Sequence, residues 1–302
     1  MLVVLNIPLK RGLICTRIVL ISRYYQKNML KAITAKKRLG QNFLTNKNKI
    51  KEIVSVLDIK KSDTIIEIGP GQGELTTEIV KALPRKIIAI EKDEVLAERL
   101  RNSVEIHGNS VEIISGDALK IIPSLVENCK LKIENYKIVG NIPYYITGFL
   151  LRIIGELKNK PRLIVLTVQK EVALRIAAEP PKMNLLAASI QFWAKTEVIG
   201  FIPKRDFFPE PKVDSAIIRL TPINSLFTKG EAENYYGFIK RIFKQPRKTV
   251  LNNLSSVTKN KGDAGQILEE NGITSKIRPQ DLSVHQMGYL ASKLASKIEK
   301  NR

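Results

Sequence analysis

Short runs of aliphatic residues alternate with amphipathic stretches between about residue 63 and residue 220. An aliphatic run bounded by turn residues is typical of a buried strand, and apolar positions three or four apart are typical of a helix. Because the early runs are continuously apolar, helices should cover both faces of a mostly parallel sheet. The predicted fold class is therefore α/β, a doubly wound, Rossmann-like sheet. Seven strands are predicted, at residues 64–69, 86–91, 111–115, 137–141, 162–168, within 187–202, and at 213–220.

A helical pattern replaces the strand pattern after Leu220. Following a break at residues 221–224, Tyr235, Phe238 and Ile242 recur at intervals of three and four residues, which is the spacing of one helix face. A chain of 302 residues also suits two domains, because domains average about 150 residues. We expect an apolar, basic extension at 1–35, the α/β domain at 36–222 and a small helical domain at 223–302.

The first 28 residues combine apolar and basic side chains. Lys10, Arg11 and Arg17 interrupt the apolar runs, which fall short of the roughly 20 residues that a membrane-spanning helix needs. No transmembrane helix is expected. Two interpretations stay open: an organelle transit peptide, since the segment is basic and contains no acidic residue, or a translation start at Met29.

The formal net charge of +21 is unevenly distributed. Residues 1–51 contain 12 basic and no acidic side chains, residues 52–199 contain 20 and 19, and residues 200–302 contain 18 and 10. A near-neutral centre between two basic ends indicates a polyanionic partner, most often nucleic acid, although a solvated lysine-rich surface is the alternative. The candidate RNA contacts are the clustered basic residues of the two ends, namely Lys36, Lys37, Arg38, Arg241, Lys244, Arg247 and Lys248.

The cysteines and histidines give no support to metal or nucleophilic chemistry. Cys15 and Cys129 are too far apart in sequence for a C-x-x-C pair, and His107 and His285 have no metal-ligand or triad spacing around them. No metal site is expected. A reducing compartment is favoured, and we expect the cytoplasm, with a mitochondrion or another organelle as the alternative if residues 1–28 are a transit peptide.

The first predicted strand leads into a glycine-rich turn and then a helix. Glu67, Gly69 and Gly71 lie at this turn, and Glu91 follows Gly71 by 20 residues at the end of the second strand. In an open α/β sheet the ligand binds beyond the carboxyl ends of the strands, where glycines let the backbone approach it closely. A carboxylate at position 91 can accept both hydroxyls of a ribose. These residues predict a nucleoside-binding pocket, although a tight turn alone would also require glycine.

Position 74 distinguishes between two cofactors. A dinucleotide fingerprint would have glycine there, whereas this chain has Glu74. A carboxylate suits a ligand with an ammonium and a sulfonium group better than a pyrophosphate, which favours S-adenosylmethionine over NAD. Asp117, after the third strand, would accept a hydrogen bond from the cofactor's adenine amine or would cap the next helix. Both roles stay open for Asp117, whereas Asp93 is expected to be a helix cap.

The fourth predicted strand ends in Asn141-Ile142-Pro143-Tyr144-Tyr145. The side-chain oxygen of Asn141 and the backbone carbonyl of Ile142 or Pro143 can bind the hydrogens of an exocyclic amino group on a base, which favours attack through its lone pair. The ring of Tyr144 can stack on that base and so offset part of the cost of moving it out of a helix. An Asn-Pro turn with core tyrosines is the structural alternative.

Nine ordered blocks along the chain resemble the ribosomal RNA adenine N6-dimethyltransferase family. The resemblance covers everything from about residue 30 onwards, and nine blocks in order are more specific than any single motif. It implies a class I S-adenosylmethionine-dependent methyltransferase domain with a small helical RNA-binding domain after it. The blocks are KKRLGQNFL (36–44), IEIGPGQGELT (66–76), IEKD (90–93), GDAL (116–119), NIPYYIT (141–147), TVQKEVALRI (167–176), FFPEPKVDSAIIRL (207–220), FKQPRKTVLNNL (243–254) and RPQDLSVHQMGYL (278–290).

The resemblance further implies a reaction and a substrate. Two adjacent adenines in the 3′-terminal hairpin loop of small-subunit (16S) ribosomal RNA would each receive two methyl groups on N6 from S-adenosylmethionine. The implied partner is this RNA within the 30S subunit or its precursor, with a role in small-subunit biogenesis. A monomer without a membrane partner is expected.

The resemblance also implies roles for single residues. Gln41, Asn42 and Leu44 would help to close the cofactor pocket, and Asn141 would contact both cofactor and target. Phe207 would pack on the flipped base opposite Tyr144. By the same resemblance, Gly69 and Gly71 would line the pocket, Glu91 would bind the ribose of the cofactor and Asp117 would bind its adenine amine. Two features depart from the family: residues 1–28 have no counterpart in it, and Tyr145 directly follows Tyr144, so which tyrosine stacks on the base stays open.

Three other functions are alternatives. A dehydrogenase on the same fold would need an intact glycine pattern and a proton relay, and the sequence has neither. A non-catalytic ribosome-assembly or RNA-binding factor would not need Asn141, Pro143 and Tyr144, which are all present. A 23S rRNA adenine methyltransferase would share the chemistry, but FFPEPKVDSA and the C-terminal blocks favour the small-subunit type.

Overall fold

The computed structural model describes Lys36 and residues 39–103, 110–127, 135–223, 228–255 and 261–300. The chain divides into two units, residues 1–41 and residues 42–302, which are described separately. In the first unit, the backbone N–H of Lys36 donates to Oε1 of Gln41 at 2.7 Å. The predictions for the N-terminal extension, for Lys37 and Arg38, and for Cys15, Cys129 and His107 lie outside the described residues.

The second unit contains a seven-stranded sheet and a separate two-stranded one. The two short strands, β1 and β8, pair antiparallel, with Leu44 opposite Phe207. The strands in chain order are β1 (Phe43–Leu44), β2 (Thr64–Ile68), β3 (Lys86–Glu91), β4 (Val111–Ser115), β5 (Tyr136–Asn141), β6 (Leu163–Gln169), β7 (Ala194–Ile202), β8 (Phe207–Phe208) and β9 (Ser215–Pro222).

The large sheet has the strand order β4-β3-β2-β5-β6-β9-β7. Strands β2 to β6 pair parallel with their neighbours, and β9 runs antiparallel between β6 and β7. The first strand of this sheet, β2, lies in its middle. The next two, β3 and β4, extend the sheet to one edge, and β5 to β7 and β9 then build the other half. The carboxyl ends of β2 and β5 are therefore neighbours at the point where the strand order reverses, which is where ligands bind in such sheets.

Helices connect the strands and make up the C-terminal region. Short 3₁₀ turns at Tyr144–Ile146, Lys204–Asp206 and Pro279–Asp281 accompany them. The helices of the described residues are α1 (Lys47–Val56), α2 (Glu74–Lys81), α3 (Glu94–Arg101), α4 (Ala118–Glu127), α5 (Thr147–Glu156), α6 (Lys170–Ile176), α7 (Leu185–Gln191), α8 (Lys229–Ile242), α9 (Val250–Leu254), α10 (Lys261–Glu269) and α11 (Val284–Lys300).

Polar side chains mark where several of these helices begin. Asn46, Asp93 and Asn184 accept hydrogen bonds from backbone N–H groups in the first turns of α1, α3 and α7, and Thr228 starts α8 with a capping box to Glu231. Each cap satisfies a backbone donor that the first turn leaves without a partner. The expected capping role of Asp93 is confirmed.

Buried side chains of the described residues form three hydrophobic clusters. Alternate residues of the strands divide between two of them: Ile66, Ile138 and Ile164 lie in one, and Ile65 and Val139 in the other. Both faces of the sheet are thus covered, as the continuous apolar runs predict. The third cluster is helical and joins α8–α11 to side chains of α7.

The strand predictions are confirmed for all seven strands of the large sheet, with ends displaced by up to two residues outside the 187–202 region. That region divides into helix α7 and strand β7, because Asn184 caps a helix over its first half. The helical core includes Met183, Ala187 and Phe192, so it draws on residues before 223, and the boundary at 222/223 stays a prediction. Within the described residues, no helix is long and apolar enough to cross a membrane.

Candidate active site

The turn between β2 and α2 is built on glycines in left-handed backbone conformations. Gly69, Gly71 and Gly73 have φ angles of +67°, +60° and +90°, which residues with a Cβ rarely adopt. At Gly71 the space that a side chain would need is also occupied by Phe43, because an added Cβ would lie 3.0 Å from the Phe43 ring. The turn therefore holds its backbone against β1, and Glu74 follows as the first residue of α2.

Glu91 connects this turn to the end of β3. Its Oε2 accepts a hydrogen bond from the N–H of Gly71 at 3.0 Å, and its Oε1 accepts one from the N–H of Asp93 at 2.8 Å. Burial raises the pKa of Glu91, while these backbone donors oppose the rise. Each carboxylate oxygen retains a further lone pair, so the fixed carboxylate keeps the capacity to accept a ribose hydroxyl.

Glu67 is the least satisfied polar group in this region. It lies within β2, is fully buried, and has no hydrogen-bond partner for either carboxyl oxygen among the described residues; the buried hydroxyl of Thr76 has none either. Burial raises the pKa of Glu67 to about 8. The hydroxyl of Thr76 is close enough to oppose this rise, although its geometry does not meet that of a hydrogen bond. A buried polar group left without a partner is costly, which marks Glu67 as a ligand-binding candidate.

The raised pKa of Glu67 predicts a dependence of stability on pH. Between pH 4.5 and about 8 the folded state holds a proton that the unfolded state has released, so the free energy of unfolding should fall as pH rises across this window, by up to about 1.4 kcal/mol per pH unit from this group. Glu67→Gln should remove that contribution. Urea unfolding of the ligand-free protein at several pH values measures it.

The control for this experiment is Glu94→Gln, which changes an exposed carboxyl at the start of α3. Its pH profile should follow that of the wild type. An identical slope for Glu67→Gln and wild type would show that Glu67 is ionised in the folded protein over this range.

Asp117 caps a helix and pairs with a lysine in this structure. Its Oδ1 accepts from the N–H of Leu119 at 3.0 Å, near the start of α4, and its Oδ2 lies 2.8 Å from Nζ of Lys92. The Lys92 ammonium holds the pKa of Asp117 below its ordinary value. The capping alternative is thus observed, and the contact with an adenine amine stays a prediction.

Asn141, at the end of β5, has a fixed side-chain orientation. Its Nδ2 donates to the backbone oxygen of Asn42 at 2.8 Å. Because a carbonyl oxygen can only accept, this bond determines which end of the amide is the nitrogen and leaves Oδ1 as the acceptor for a ligand. The backbone oxygen of Asn141 lies 4.0 Å from where a Cβ on Gly69 would be. The glycine turn and Asn141 therefore belong to one site.

The two tyrosines after Pro143 occupy different environments. The hydroxyl of Tyr144 lies 2.7 Å from Oγ of Ser215 at the start of β9, and burial raises its pKa. The side chain of Tyr145 is 54% exposed. Pro143 precedes the 3₁₀ turn, and its carbonyl accepts from the N–H of Ile146 at 3.1 Å. The sequence offers the backbone carbonyls of Ile142 and Pro143 as acceptors for the target amine. The carbonyl of Pro143 already accepts one hydrogen bond within the turn.

The structure separates the two phenylalanines of β8. Phe207 is 4% exposed and packs in the hydrophobic cluster that contains Leu44 and Ile202, whereas Phe208 is 63% exposed. Successive residues of a strand point to opposite faces, which explains the difference. The contact of Phe207 with a flipped base stays a prediction. The pairing of β1 with β8, which sequence patterns did not predict, brings Leu44 beside it.

Two neighbours of the predicted site residues were not predicted from the sequence. Phe43 fills the space beside Gly71, and Ser215 holds the hydroxyl of Tyr144. Both residues lie within sequence blocks that resemble the family. Their contacts could not be predicted, because each contact joins segments that are far apart in the chain. Gln41 belongs to the first unit, and its part in a cofactor pocket stays a prediction, as does the absence of a metal.

Known proteins match this chain in sequence and in fold. The sequence profile of the family described as "Ribosomal RNA adenine dimethylase" matches residues 32–296. The "Ribosomal RNA small subunit methyltransferase A" of Mycoplasma capricolum is 38% identical over 257 residues, which cover 83% of this chain and 94% of that protein.

Two solved structures share the fold. A dimethyladenosine transferase from Plasmodium falciparum has a TM-score of 0.71 and 25% identity, covering 84% of this chain and 98% of that one. The 23S rRNA methyltransferase ErmE has a TM-score of 0.68 and 24% identity, covering 84% and 100%. The predicted α/β methyltransferase fold is confirmed.

Proposed function

The chain belongs to the ribosomal RNA adenine dimethylase family, and from this membership and the site geometry we propose which adenines it methylates and with which residues. It is an S-adenosylmethionine-dependent rRNA adenine dimethyltransferase. The proposed targets are the N6 atoms of two adjacent adenines in the 3′-terminal hairpin loop of small-subunit (16S) rRNA. The observation that carries the proposal is the Asn141 amide, which is anchored to Asn42 with its oxygen left as an acceptor, in a residue whose backbone lies beside the glycine turn.

The residues around the glycine turn fit S-adenosylmethionine. The turn holds Gly69 and Gly71 in left-handed backbone conformations, the carboxylate of Glu91 is held by two backbone donors, and the buried carboxyl of Glu67 lacks a protein partner among the described residues. When bound, this cofactor would supply an electrophilic methyl group, whose bond to sulfur would break as the bond to N6 forms, with S-adenosylhomocysteine as the leaving group. We assign Glu91 to its ribose and Asp117 to its adenine amine, and Asn42 and Leu44 to the wall of the pocket.

Asn141 and its neighbours would hold the target amine. Oδ1 of Asn141 and the backbone carbonyl of Ile142 are the proposed acceptors for the two N6 hydrogens. The carbonyl of Pro143 keeps one lone pair for this role besides the bond that it accepts from Ile146, and it is the alternative second acceptor. These acceptors stabilise the positive charge that develops on N6 as the new C–N bond forms, and they do so without reorganisation. The proton leaves N6 after attack, so no dedicated general base is needed. Positioning supplies most of the remaining acceleration.

Tyr144 is the proposed stacking partner of the target adenine. Its hydroxyl is held by Ser215, which fixes the direction of the ring, while Tyr145 is more than half exposed and has no comparable anchor among the described residues. A ring with a fixed orientation loses less conformational entropy when a base stacks on it. Phe207 is proposed to support the opposite side of the pocket from its place in β8.

The small-subunit assignment is favoured over a large-subunit one. The small-subunit relative from Mycoplasma capricolum is 38% identical to this chain, whereas ErmE, a 23S rRNA methyltransferase, is 24% identical and supports the fold alone. We further propose that the chain acts as a monomer in the cytoplasm, on the 30S subunit or its precursor, and so takes part in small-subunit biogenesis.

The test of this function is methyl transfer from labelled S-adenosylmethionine to small ribosomal subunits that lack the modification. Nucleoside analysis should detect N6,N6-dimethyladenosine, and primer extension should place it at two adjacent positions near the 3′ end of the small-subunit RNA. Product in large-subunit RNA instead would overturn the substrate. Tight subunit binding without any product would overturn the reaction and favour an assembly factor.

The C-terminal basic residues are proposed to grip the RNA backbone. Arg241 lies in the last turn of α8, and Lys244, Arg247 and Lys248 follow between α8 and α9. All four are exposed and form no ion pair with the described residues. Replacing all four with glutamine should weaken subunit binding and reduce the slope of log K against log salt by about 0.7–0.9 for each phosphate that the protein no longer neutralises. Filter binding over a series of salt concentrations measures the slope.

A matched control changes exposed lysines of the α/β region. Lys61→Gln combined with Lys120→Gln removes two charges from solvent-exposed positions there and should leave the slope within the error of the wild type. Equal slopes for the four-residue variant and the wild type would exclude the α8–α9 segment as a phosphate-binding segment.

A further inference from the structure

One short segment, residues 42–46, contacts two separate parts of the candidate active site. The backbone oxygen of Asn42 accepts the hydrogen bond from Nδ2 of Asn141. The ring of Phe43 occupies the space beside Gly71 in the glycine turn. The placement of this segment therefore affects both the orientation of the Asn141 amide and the packing of the glycine turn.

The strand pairing that holds this segment is short. Strands β1 and β8 contain two residues each, and Phe43 pairs with Phe208 while Leu44 pairs with Phe207. An isolated two-stranded ribbon is marginally stable at best, even when it is longer than this one. The position of the segment therefore depends on further bonds beside the strand pairing.

Asp206, the last residue of the 3₁₀ turn before β8, supplies such bonds. Its backbone oxygen accepts from the N–H and from the hydroxyl of Thr45, both at 2.8 Å. Its carboxylate Oδ2 accepts from Nδ2 of Asn46 at 2.9 Å. The turn is itself fixed, because the N–H of Lys204 donates to Oδ1 of Asp214 at 3.0 Å, just before β9. Asp206 thus ties the segment to the large sheet.

The amide of Asn46 has two separate roles. Its Oδ1 caps α1 by accepting from the N–H groups of Asn48 at 3.0 Å and Lys49 at 3.3 Å, and its Nδ2 donates to Asp206. Aspartate caps a helix as well as asparagine does, so the cap alone does not require an amide. The hydrogen bond to Asp206 does require one, and a bond to a carboxylate is stronger than one between neutral groups.

We propose that Asn46 and Asp206 are positioning residues for methyl transfer. Their hydrogen bond holds residues 42–46 in place, so that the carbonyl of Asn42 fixes the Asn141 amide with its oxygen available to the target amine. The inference rests on the proposed function for the role of that oxygen. Asn46 and Asp206 act through the backbone of the segment and not by contact with the cofactor or the target.

Asn46→Asp in the full chain tests the bond while it keeps the helix cap. The substitution removes the donor and places two carboxylates against each other. It should lower kcat for methyl transfer to small subunits by about tenfold, part of the roughly 10²-fold loss that a misplacement of about 1 Å can cause. The KM for the subunit should stay nearly unchanged, because the basic residues proposed to bind RNA are untouched.

A double variant should reverse this loss. When Asn46→Asp is combined with Asp206→Asn, the amide at position 206 donates to the carboxylate at position 46, whose other oxygen caps α1. The kcat should return to near the wild-type value. Asp206→Asn alone leaves an oxygen acceptor for Asn46 and should keep most of the activity.

Asn184→Asp is the matched control. Asn184 caps α7 through Oδ1 and donates through Nδ2 to the backbone oxygen of Arg175 at 2.8 Å, so the substitution removes the same kind of bond at another helix start. It should lower the midpoint of urea unfolding and leave kcat unchanged. A structural loss is thereby distinguished from a loss of positioning.

The side-chain amide of Asn141 gives a readout that does not depend on methylation. Its signal in proton–nitrogen NMR spectra of the ligand-free protein is identified by its disappearance in Asn141→Ala. Asn46→Asp should shift this signal and speed the exchange of its hydrogens with water, because the bond to Asn42 opens more often. The double variant should restore both properties.

The outcomes separate this inference from the proposed function. An Asn141 signal that Asn46→Asp leaves unchanged overturns the inference whatever the activity, and so does a shifted signal with unchanged kcat. Failure of the double variant to recover also overturns it, because the loss then comes from the charge at position 46. A signal that shifts and recovers, in a protein that forms no dimethyladenosine, upholds the control of the Asn141 amide by this bond and overturns the proposed reaction.

Discussion

Asn141→Ala is expected to lower kcat for methyl transfer to small subunits by about 10²- to 10³-fold, the usual effect of removing one preorganised group that stabilises developing charge. The substitution removes the Oδ1 acceptor and also the bond from Nδ2 to the backbone of Asn42. RNA affinity should change little, because the basic residues that supply it are elsewhere. Single-turnover assays with saturating subunits measure the chemical step directly.

Two further variants make this result interpretable. Asn141→Asp keeps an acceptor but places a carboxylate oxygen against the carbonyl of Asn42, so activity should also be lost. Asn102→Ala removes an exposed asparagine at the end of α3 whose side chain, among the residues that the structure describes, bonds only to Glu98, and should leave kcat unchanged. If Asn141→Ala folds normally and keeps kcat within threefold of the wild type, Asn141 does not hold the target amine.

Lys137→Met is expected to lower the free energy of unfolding by about 3–5 kcal/mol, the usual effect of breaking a buried ion pair. Lys137 and Asp63 are both almost fully buried, with Nζ and Oδ2 2.8 Å apart. The ammonium also donates to the backbone oxygens of Leu57 at 2.9 Å and Asp58 at 2.6 Å. Without it, the two carbonyls at the end of α1 lose this donor, and the buried carboxylate of Asp63 keeps the backbone N–H of Lys60 but loses its positively charged partner. Urea unfolding measures the change.

A double-mutant cycle separates the charge from the packing. Lys137→Met combined with Asp63→Asn removes both charges and should be less destabilised than the sum of the single variants. Lys86→Met is the matched control, because Lys86 forms a partly exposed pair with Glu112, and such pairs contribute under about 1 kcal/mol. Equal losses for Lys137→Met and Lys86→Met would show that the buried pair adds nothing beyond a surface pair.

The strands could be predicted because their signal is local. The runs KIIAIE and VEIIS coincide with β3 and β4 residue for residue. The residues of β3 after Lys86 are buried, as expected where a strand is covered on both faces, whereas β4 lies at the edge of the sheet and is only partly buried. The region 187–202 was harder because its apolar residues suit a helix or a strand. The cap of Asn184, which lies just before the region, decides that a helix comes first.

The site could be predicted where its residues follow strands. Glu67, Glu91, Asp117 and Asn141 lie in or directly after parallel strands, so the order of elements alone brings them to one edge of the sheet. Their partners could not be predicted in this way. Ser215 meets Tyr144 only because β9 runs antiparallel between β6 and β7.

Lys137 shows the same limit in the core. Within the sequence it is an ordinary lysine at the beginning of an aliphatic run, and nothing local distinguishes it from Lys86. Its ammonium becomes buried because the end of α1 and the residue before β2 close over the start of β5. Burial of a charge depends on what packs above it, and that is a property of the assembled fold.

The sequence by itself determined the α/β order, the glycine turn, the Asn-Ile-Pro-Tyr motif and the excess of positive charge, because each depends on residue types at short separation. Tertiary structure decided how those groups are held. The bond to the backbone of Asn42 determines the orientation of the Asn141 amide. The ring of Phe43 fills the space that a side chain at position 71 would need, and the ammonium of Lys170 lies over the ring of Phe201. Each of these pairs joins segments at least 28 residues apart, and a pairing at such separation is set by chain topology and packing rather than by local pattern.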